Sequence, residues 1–445
     1  MGTNRRKFIQ TAAAGTAGIM LGGTQLSAKS YNRIMGSNER MQVAIMGLGR
    51  RVGGFYPYLT DKKNNVDLVY LCDVMTSQRE KAAKNVSKMM DSKPKLENDF
   101  RKILADKEID AIFNLTPDHW HTPMTIMGVA AGKHVYVEKP CSHNMEENEW
   151  IVAAQKKYNK VVQMGNQQRS SDHTIEIMDK IHKGAIGKAY KAVAFYSNRR
   201  GEVPLQKAAA VPTGLDWELF QGPAIRRDYT SETWDYNWHW YGWNYGTAEL
   251  GNNATHELDV ARWALQVGFP NRVDVDAGKT AFINDGWEMY DTMEATYKFD
   301  GNKTIQWDGK SRNGYNTYGA GRGVIIYGSE GSVFVNRSKY IHSDRAGKVV
   351  KEQESGTVEG GLALGGGGGM TTIHIDNFFQ TIRGKESLRA PIDDATVSMA
   401  MVHYGNVAYR IGKGFDIDPN SGRMKDKKAK KLWGRDYAKG WEPKL

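Results

Sequence analysis

The sequence predicts two joined folds: an α/β domain on a parallel, doubly wound sheet, then an α+β domain on an open, mostly antiparallel sheet. Three observations carry this. An apolar run, Val43 to Met46, breaks into Gly47 and Gly49. Short apolar strands then alternate with helical segments as far as Met164. Beyond Gly184 the apolar period changes to two. In DTMEATYKFD (291–300), Met293, Ala295, Tyr297 and Phe299 alternate with Thr292, Glu294, Thr296 and Lys298, as half-buried antiparallel strands do. The expected division is a leader and linker over 1–40, a first domain over 41–165, a second over 166–420 and a basic tail over 421–445.

At 445 residues the chain is long enough for two hydrophobic cores. Its formal net charge of +11 lies mostly at the ends. Residues from Gly422 onward carry +6, and Arg5, Arg6 and Lys7 a further +3, which leaves a body near +2. A body so close to neutral has no global field for nucleic acid, and no such partner is expected. Arg5-Arg6, then Phe8 and the uncharged TAAAGTAGIMLGGTQLSA (11–28), resemble a twin-arginine export signal, which implies the periplasm. That stretch is too short and glycine-rich to span a membrane. Cys72 and Cys141 are the only cysteines and read as packed thiols, not a bridge.

The glycine turn after the first strand lets backbone approach a pyrophosphate, and a helix opening there offers N–H donors. Gly47 and Gly49 are the expected contacts, with Arg50 beside them. The third glycine of the G-x-G-x-x-G pattern falls one residue late, at Gly53. VDLVYLCDV (66–74) is a second strand, ending at Asp73. A carboxylate there accepts from both adenosine ribose hydroxyls and repels a 2′-phosphate, so NAD is favoured over NADP, although Arg50 pulls the other way. IDAIFNLTP (109–117) ends at Thr116-Pro117. DHWHTPMTIMGVAAGK (118–133) reads as a helix, and HVYVEKP (134–140) as a strand closing on Glu138-Lys139-Pro140. VVQMGNQQRSS (161–171) closes the sheet and leads across through Gln167 and Arg169. Ligands of such sheets lie beyond the carboxyl ends of the strands, where Asp73, Thr116 and Lys139 stand. His119 and His121 lack further ligands at metal spacing, so no metal site is expected.

Gly-x-Gly, Asp73, Thr116-Pro117 followed by His121, and AGKHVYVEKP (131–140) together resemble the glucose–fructose oxidoreductase / inositol dehydrogenase / MocA family, from about Met41 to Lys413. The resemblance implies a Rossmann domain, an open sheet whose outer face meets a second subunit in a homo-oligomer, and an NAD(P)-dependent dehydrogenase. Cofactor contacts then extend to Thr116, Pro117, His121, Glu138, Lys139 and Gln167. In the family, the histidine of a G-x-x-x-x-H-x-x-D segment faces the nicotinamide, with the E-K-P lysine beside it. Carried over, these are His256 and Lys139. Many relatives have an aspartate four residues before this histidine; Asn252 stands there, so the ring lacks a carboxylate to orient it. The chemistry suits the pair. Oxidising a carbinol removes the hydroxyl proton as hydride leaves carbon; an imidazole takes the proton and an ammonium steadies the alkoxide.

WDYNWHWYGWNYG (234–246) sets seven aromatic residues directly before the expected helix in AELGNNATHELDVARWALQ (248–266). Sugars present apolar C–H faces rimmed by hydroxyls. Trp238, Trp240 and Trp243 are the expected stacking faces, with Asn252 and Arg169 as polar substrate contacts. A dimer contact or a loop plug is the alternative. Trp217 in LDWELFQGPA (215–224) is expected to pack beneath the site. GGLALGGGGGM (360–370) reads as a slack linker, and 374–384 and 393–413 as helices packing back on the body.

An exported protein has no nucleotide pool to draw on, so the cofactor is expected to stay bound and be recycled in place. The expected reaction is oxidation of a sugar or glycoside hydroxyl to a ketone. Two alternatives stay open: an NAD-dependent glycosidase that oxidises C3 transiently and eliminates across C1–C2, and a sugar-binding protein without catalysis. The resemblance tilts to oxidation, because glycosidases of the family replace the lysine that stands here as Lys139.

Overall fold

The computed structural model describes residues 40–231, 236–356 and 368–445. The paired arginines and the stretch expected to direct export, Trp234 and Asp235, and most of the glycine run 360–370 lie outside the described residues. The first sheet has strands β1 (Met41–Met46), β2 (Val66–Cys72), β3 (Lys95–Glu97), β4 (Ala111–Asn114), β5 (His134–Val137) and β6 (Val162–Met164), in the order β3-β2-β1-β4-β5-β6. Every pair is parallel. β3 was not expected; its three residues carry no apolar run to announce it. Both faces of this sheet are covered. Ala44 and Met46 pack into one core cluster, while Val43 and Ile45 pack into another that also holds Phe378 and Phe379 of the late helix Gly368–Ile382. The order reverses between β1 and β4, and a crevice opens beyond the strand ends there. The expected helix after the glycine turn is only a 3₁₀ turn, Arg50–Gly54, and one further turn, Tyr56–Leu59; Gly53, Gly54 and Pro57 interrupt a longer one.

The second sheet comprises β7 (Ala189–Arg199), β8 (Arg272–Gly278), β9 (Thr292–Phe299), β10 (Lys303–Lys310), β11 (Arg312–Asn313), β12 (Arg322–Gly328), β13 (Gly331–Val335), β14 (Lys339–Asp344), β15 (Val349–Glu354) and β16 (Phe415–Asp416). Its order is β15-β14-β13-β12-β7-β10-β9-β8-β16, with β11 beside β7. All pairs are antiparallel except β7 with β10. The β9 alternation holds: Met293, Ala295, Tyr297 and Phe299 are buried. Helices Thr255–Leu265 and Ile392–Ile411 lie on that inner face, and the Tyr297 hydroxyl donates to Met401 O at 2.8 Å.

Arg169 belongs to this packing and not to the substrate. Its Nε and Nη2 donate to Asp259 at 2.7 and 2.8 Å, and Nη2 also reaches Asp394 at 3.0 Å. The guanidinium is buried in that pair, which fixes the 255–265 helix against the chain leaving the first sheet. Cys72 and Cys141 are buried free thiols, as expected.

Burial holds seven imidazoles neutral. His119 and His403 are pushed down to about 3 and His134 and His374 to about 4, while His143, His239 and His256 lie well below the ordinary range. Unfolding returns each to about 6.5. Between the folded and unfolded values the unfolded chain binds more protons, so stability rises with pH. The expected outcome is a stability contribution fully present above about pH 6.5 and lost as pH falls from there towards about 4. Urea midpoints measured across that range check it; a flat profile down to the carboxylate range contradicts it.

Candidate active site

A cavity of about 310 Å³ occupies the crevice beyond β1 and β4. The expected cofactor residues Gly47, Gly49, Arg50, Asp73, Thr116, Pro117, His121, Glu138, Lys139 and Gln167 all line it, as do Asn252, Trp238 and His256. Gly47 has φ +88°, and a Cβ there would stand 2.5 Å from the Leu115 carbonyl oxygen. Only glycine allows that approach. At Gly49, by contrast, a Cβ would meet no protein atom within 4 Å. Asp73 accepts from the Leu48 and Met75 amides at 2.7 and 2.8 Å. Burial raises its pKa against the pull of these donors. A close backbone approach at the turn and a fixed carboxylate at the next strand end fit the pyrophosphate and ribose of a dinucleotide.

His121 ties strand ends together: its ring nitrogens lie 2.5 and 2.7 Å from the Pro140 and Thr116 carbonyl oxygens. Glu138 is held ionised. Burial raises its pKa, but Arg51, whose Nε donates at 2.7 Å, and Lys139 outweigh it.

The reacting end is built around Lys139. Its Nζ donates to Asn252 O at 2.6 Å. Asn252 lies in a π-helical segment, Leu250–Ala254, that leads into helix Thr255–Leu265; the sequence does not announce this wide turn, a form frequent at functional sites. The Asn252 amide donates to the Tyr236 hydroxyl at 3.2 Å. Burial lowers the Lys139 pKa, while Glu138 and Asp118 oppose that. His256 is buried at the same cavity, and among the described residues its ring makes no hydrogen bond. Burial first, then Arg337, Lys139, Arg322 and Arg51, keep it neutral.

His239, within the aromatic stretch, is the better-oriented imidazole. Its Nδ1 lies 2.7 Å from Tyr236 O. A carbonyl oxygen only accepts, so Nδ1 carries the proton and Nε2 keeps its lone pair. Trp238 stacks on this ring at 3.6 Å.

The aromatic stretch therefore divides. Trp238 lines the cavity, but Trp240 and Trp243 do not. Trp240 is fully buried against Trp287, with centroids 4.1 Å apart. Trp243 lies at a second cavity of about 420 Å³, beneath the Arg410 guanidinium at 5.1 Å. Trp217 packs as expected, stacked on Phe220 at 5.0 Å. Tyr236, Asp118, Arg322 and Arg337 complete the cavity without a motif to mark them.

Two family models match: the oxidoreductase family, NAD-binding Rossmann fold, over residues 41–166, and the oxidoreductase family, C-terminal alpha/beta domain, over 192–359. Among curated proteins, a glycosyl hydrolase family 109 protein of Saccharopolyspora erythraea is 25% identical over 49% of this chain and 52% of its own length. An alpha-N-acetylgalactosaminidase of Shewanella oneidensis is 26% identical over 43% and 46%. The chain spans about half the length of the curated relatives it matches. Among solved structures, the WlbA dehydrogenase of Bordetella pertussis in complex with NADH and UDP-GlcNAcA shares the fold (TM-score 0.60, 18% identity, 85% of this chain and 99% of that one). So does an aldose-aldose oxidoreductase of Caulobacter crescentus (TM-score 0.60, 17% identity, 85% and 100%).

The two glycines give separable outcomes. Gly47→Ala is expected to destabilise the fold by upwards of about 3 kcal/mol, through a positive φ and a backbone clash. Gly49→Ala is expected to melt like the parent yet lose bound nucleotide, because its Cβ would point into space a pyrophosphate needs. Melting curves and the nucleotide content of the denatured supernatant check both.

Proposed function

The chain belongs to the glucose–fructose oxidoreductase / inositol dehydrogenase / MocA family of NAD-binding oxidoreductases, and we propose that it oxidises one hydroxyl of a sugar or glycoside to a ketone on a dinucleotide that it keeps. One observation carries the proposal: an ammonium and two neutral imidazoles share a cavity with residues suited to a dinucleotide. When bound, the dinucleotide supplies the hydride acceptor. The chain does the rest. Lys139, steadied by the Asn252 carbonyl, stabilises the oxyanion as the hydroxyl proton leaves. His256 and His239 are the bases, and His239 offers the lone pair of Nε2. Trp238 gives a flat apolar face for sugar C–H groups.

A second reading, the NAD-dependent glycosidase, draws on the curated relatives and on the paired imidazoles. Elimination needs a base for the C2 proton as well as one for the hydroxyl. Export through a twin-arginine route belongs to the proposal and rests on the Arg5-Arg6 segment. Assembly into a homo-oligomer through the outer sheet face is likewise proposed; half-buried Ile325, Tyr327 and Phe334 lie there.

Denaturing the purified protein is expected to release NAD(H). A sugar panel is expected to raise the reduced-nicotinamide absorbance of the intact protein. With a chromogenic glycoside, a keto-sugar without aglycone favours oxidation and free aglycone favours the glycosidase. Lys139→Ala is expected to slow hydride transfer by about 10²–10³-fold while the fold persists; parent-like turnover would remove the lysine from the mechanism.

A further inference from the structure

Cations outnumber their partners at the reacting end of the cavity, and one is left over. Arg51 Nε is taken by Glu138 at 2.7 Å. Arg322 forms a two-pronged pair with Glu257, at 2.8 and 3.0 Å. Lys139 has the Asn252 carbonyl, with Glu138 and Asp118 near it. Arg337 lines the same cavity, and among the described residues it makes no hydrogen bond or ion pair. Glu257, the carboxylate that pulls the other way on it, already has both oxygens on Arg322. Burial, Arg322 and Arg51 pull this guanidinium down to about 9, from an ordinary value above about 12. A half-buried guanidinium that has given up part of its water and gained no anion is poised for one.

Its mounting is rigid. Arg337 sits in the turn between β13 and β14. Asn336 O lies 2.8 Å from His173 Nε2 and accepts from Gln168 Nε2 at 3.3 Å. Asn336 Oδ1 accepts from the Ser338 and Lys339 amides at 2.8 and 2.9 Å. A pinned base beneath an unpaired planar head is a preorganised receptor. It also stands at the right end. The charges acting on it are those of Arg322, Glu257 and Arg51, and it is the leading charge on His256. The phosphates of a dinucleotide belong instead at the Gly47–Gly49 turn.

We propose that Arg337 is a specificity residue that receives an oxyanion of the substrate, so that the enzyme acts on acidic sugars, bearing a carboxylate or a sulfate, in preference to neutral ones. The proposal rests on the reading of this cavity as a sugar-oxidising site. It also gives the arriving anion a second role. Neutralising Arg337 removes the strongest repulsion on the His256 proton site, so the ring becomes a better base as substrate docks.

Calorimetric titration of the full, nucleotide-loaded protein tests it. Glucose, galactose and mannose are each compared with the corresponding uronate and 6-sulfate. The parent is expected to bind one acidic class at least about tenfold more tightly than the neutral sugar, and the tighter class identifies the oxyanion. Arg337→Gln is expected to erase that margin, and Arg337→Lys to keep part of it. Should the glutamine variant fail to fold, added chloride is expected to shrink the parent's own margin. Equal binding of acid and neutral forms by the parent, a margin that survives in Arg337→Gln or is insensitive to chloride, or no binding of any acidic sugar would overturn the proposal. A parent that shows no such margin yet still transfers hydride to the bound nucleotide faults the Arg337 proposal alone. An intact margin, with no sugar reducing the bound nucleotide, faults the oxidation reading and leaves the acid receptor standing.

Discussion

The site depends on one charge-assisted hydrogen bond, from Lys139 Nζ to Asn252 O at 2.6 Å. It joins the end of a parallel strand to a helix laid on the antiparallel sheet. Orientation by a neutral carbonyl differs from orientation by a carboxylate. The lysine is fixed in place, yet its charge is not cancelled at contact distance. The carboxylates that do act on it are engaged elsewhere. Asp118 accepts from the Thr247 hydroxyl at 2.5 Å, and Glu138 is paired with Arg51. An ammonium held this way retains much of its field for an oxygen that becomes negative beside it.

The aromatic stretch 234–246 acts chiefly as scaffolding. Trp240 and Trp287 stack at 4.1 Å. Arg200 covers the Trp240 face at 4.7 Å, and Arg312 covers Trp287 at 3.8 Å. Each cation has an acid nearby: Glu249 for Arg200, Asp285 for Arg312. Trp240, Trp287 and Arg312 of this stack are buried, and the half-buried Arg200 also reaches over Tyr236 at 5.4 Å. Tyr236 in turn holds His239 and Asn252. Flat faces thus set the angle of polar groups, and among the described indoles of the stretch Trp238 is the one that faces the cavity.

Much of the first sheet was legible, because buried parallel strands are continuous apolar runs and their ends carry punctuation: glycines at 47 and 49, Asp73, Thr116-Pro117 and Glu138-Lys139-Pro140. The second sheet was legible through alternation in β9. What the sequence hid was facing and long-range pairing. Trp238, Trp240 and Trp243 have identical chemistry at short spacing in an irregular segment, where no period assigns a side, and they point to three different surroundings. Arg169 looked free because its partners lie 90 and 225 residues further on. Arg337 gave no signal at all; only the arrangement of the other cations makes it conspicuous.

Helix Gly368–Ile382 returns from the far end of the chain to the first sheet. Phe378 and Phe379 join Phe113 and Tyr136 in one cluster, Tyr58 donates to Asp376 at 2.8 Å, and Gln163 donates to His374 O at 2.8 Å. During synthesis the nucleotide-binding half therefore leaves the ribosome with an aromatic wall missing, and it stays unfinished until β7 to β15 of the second sheet have been made. Cutting the polypeptide between the two sheets yields two incomplete pieces, each with a raw apolar flank, rather than two independent modules.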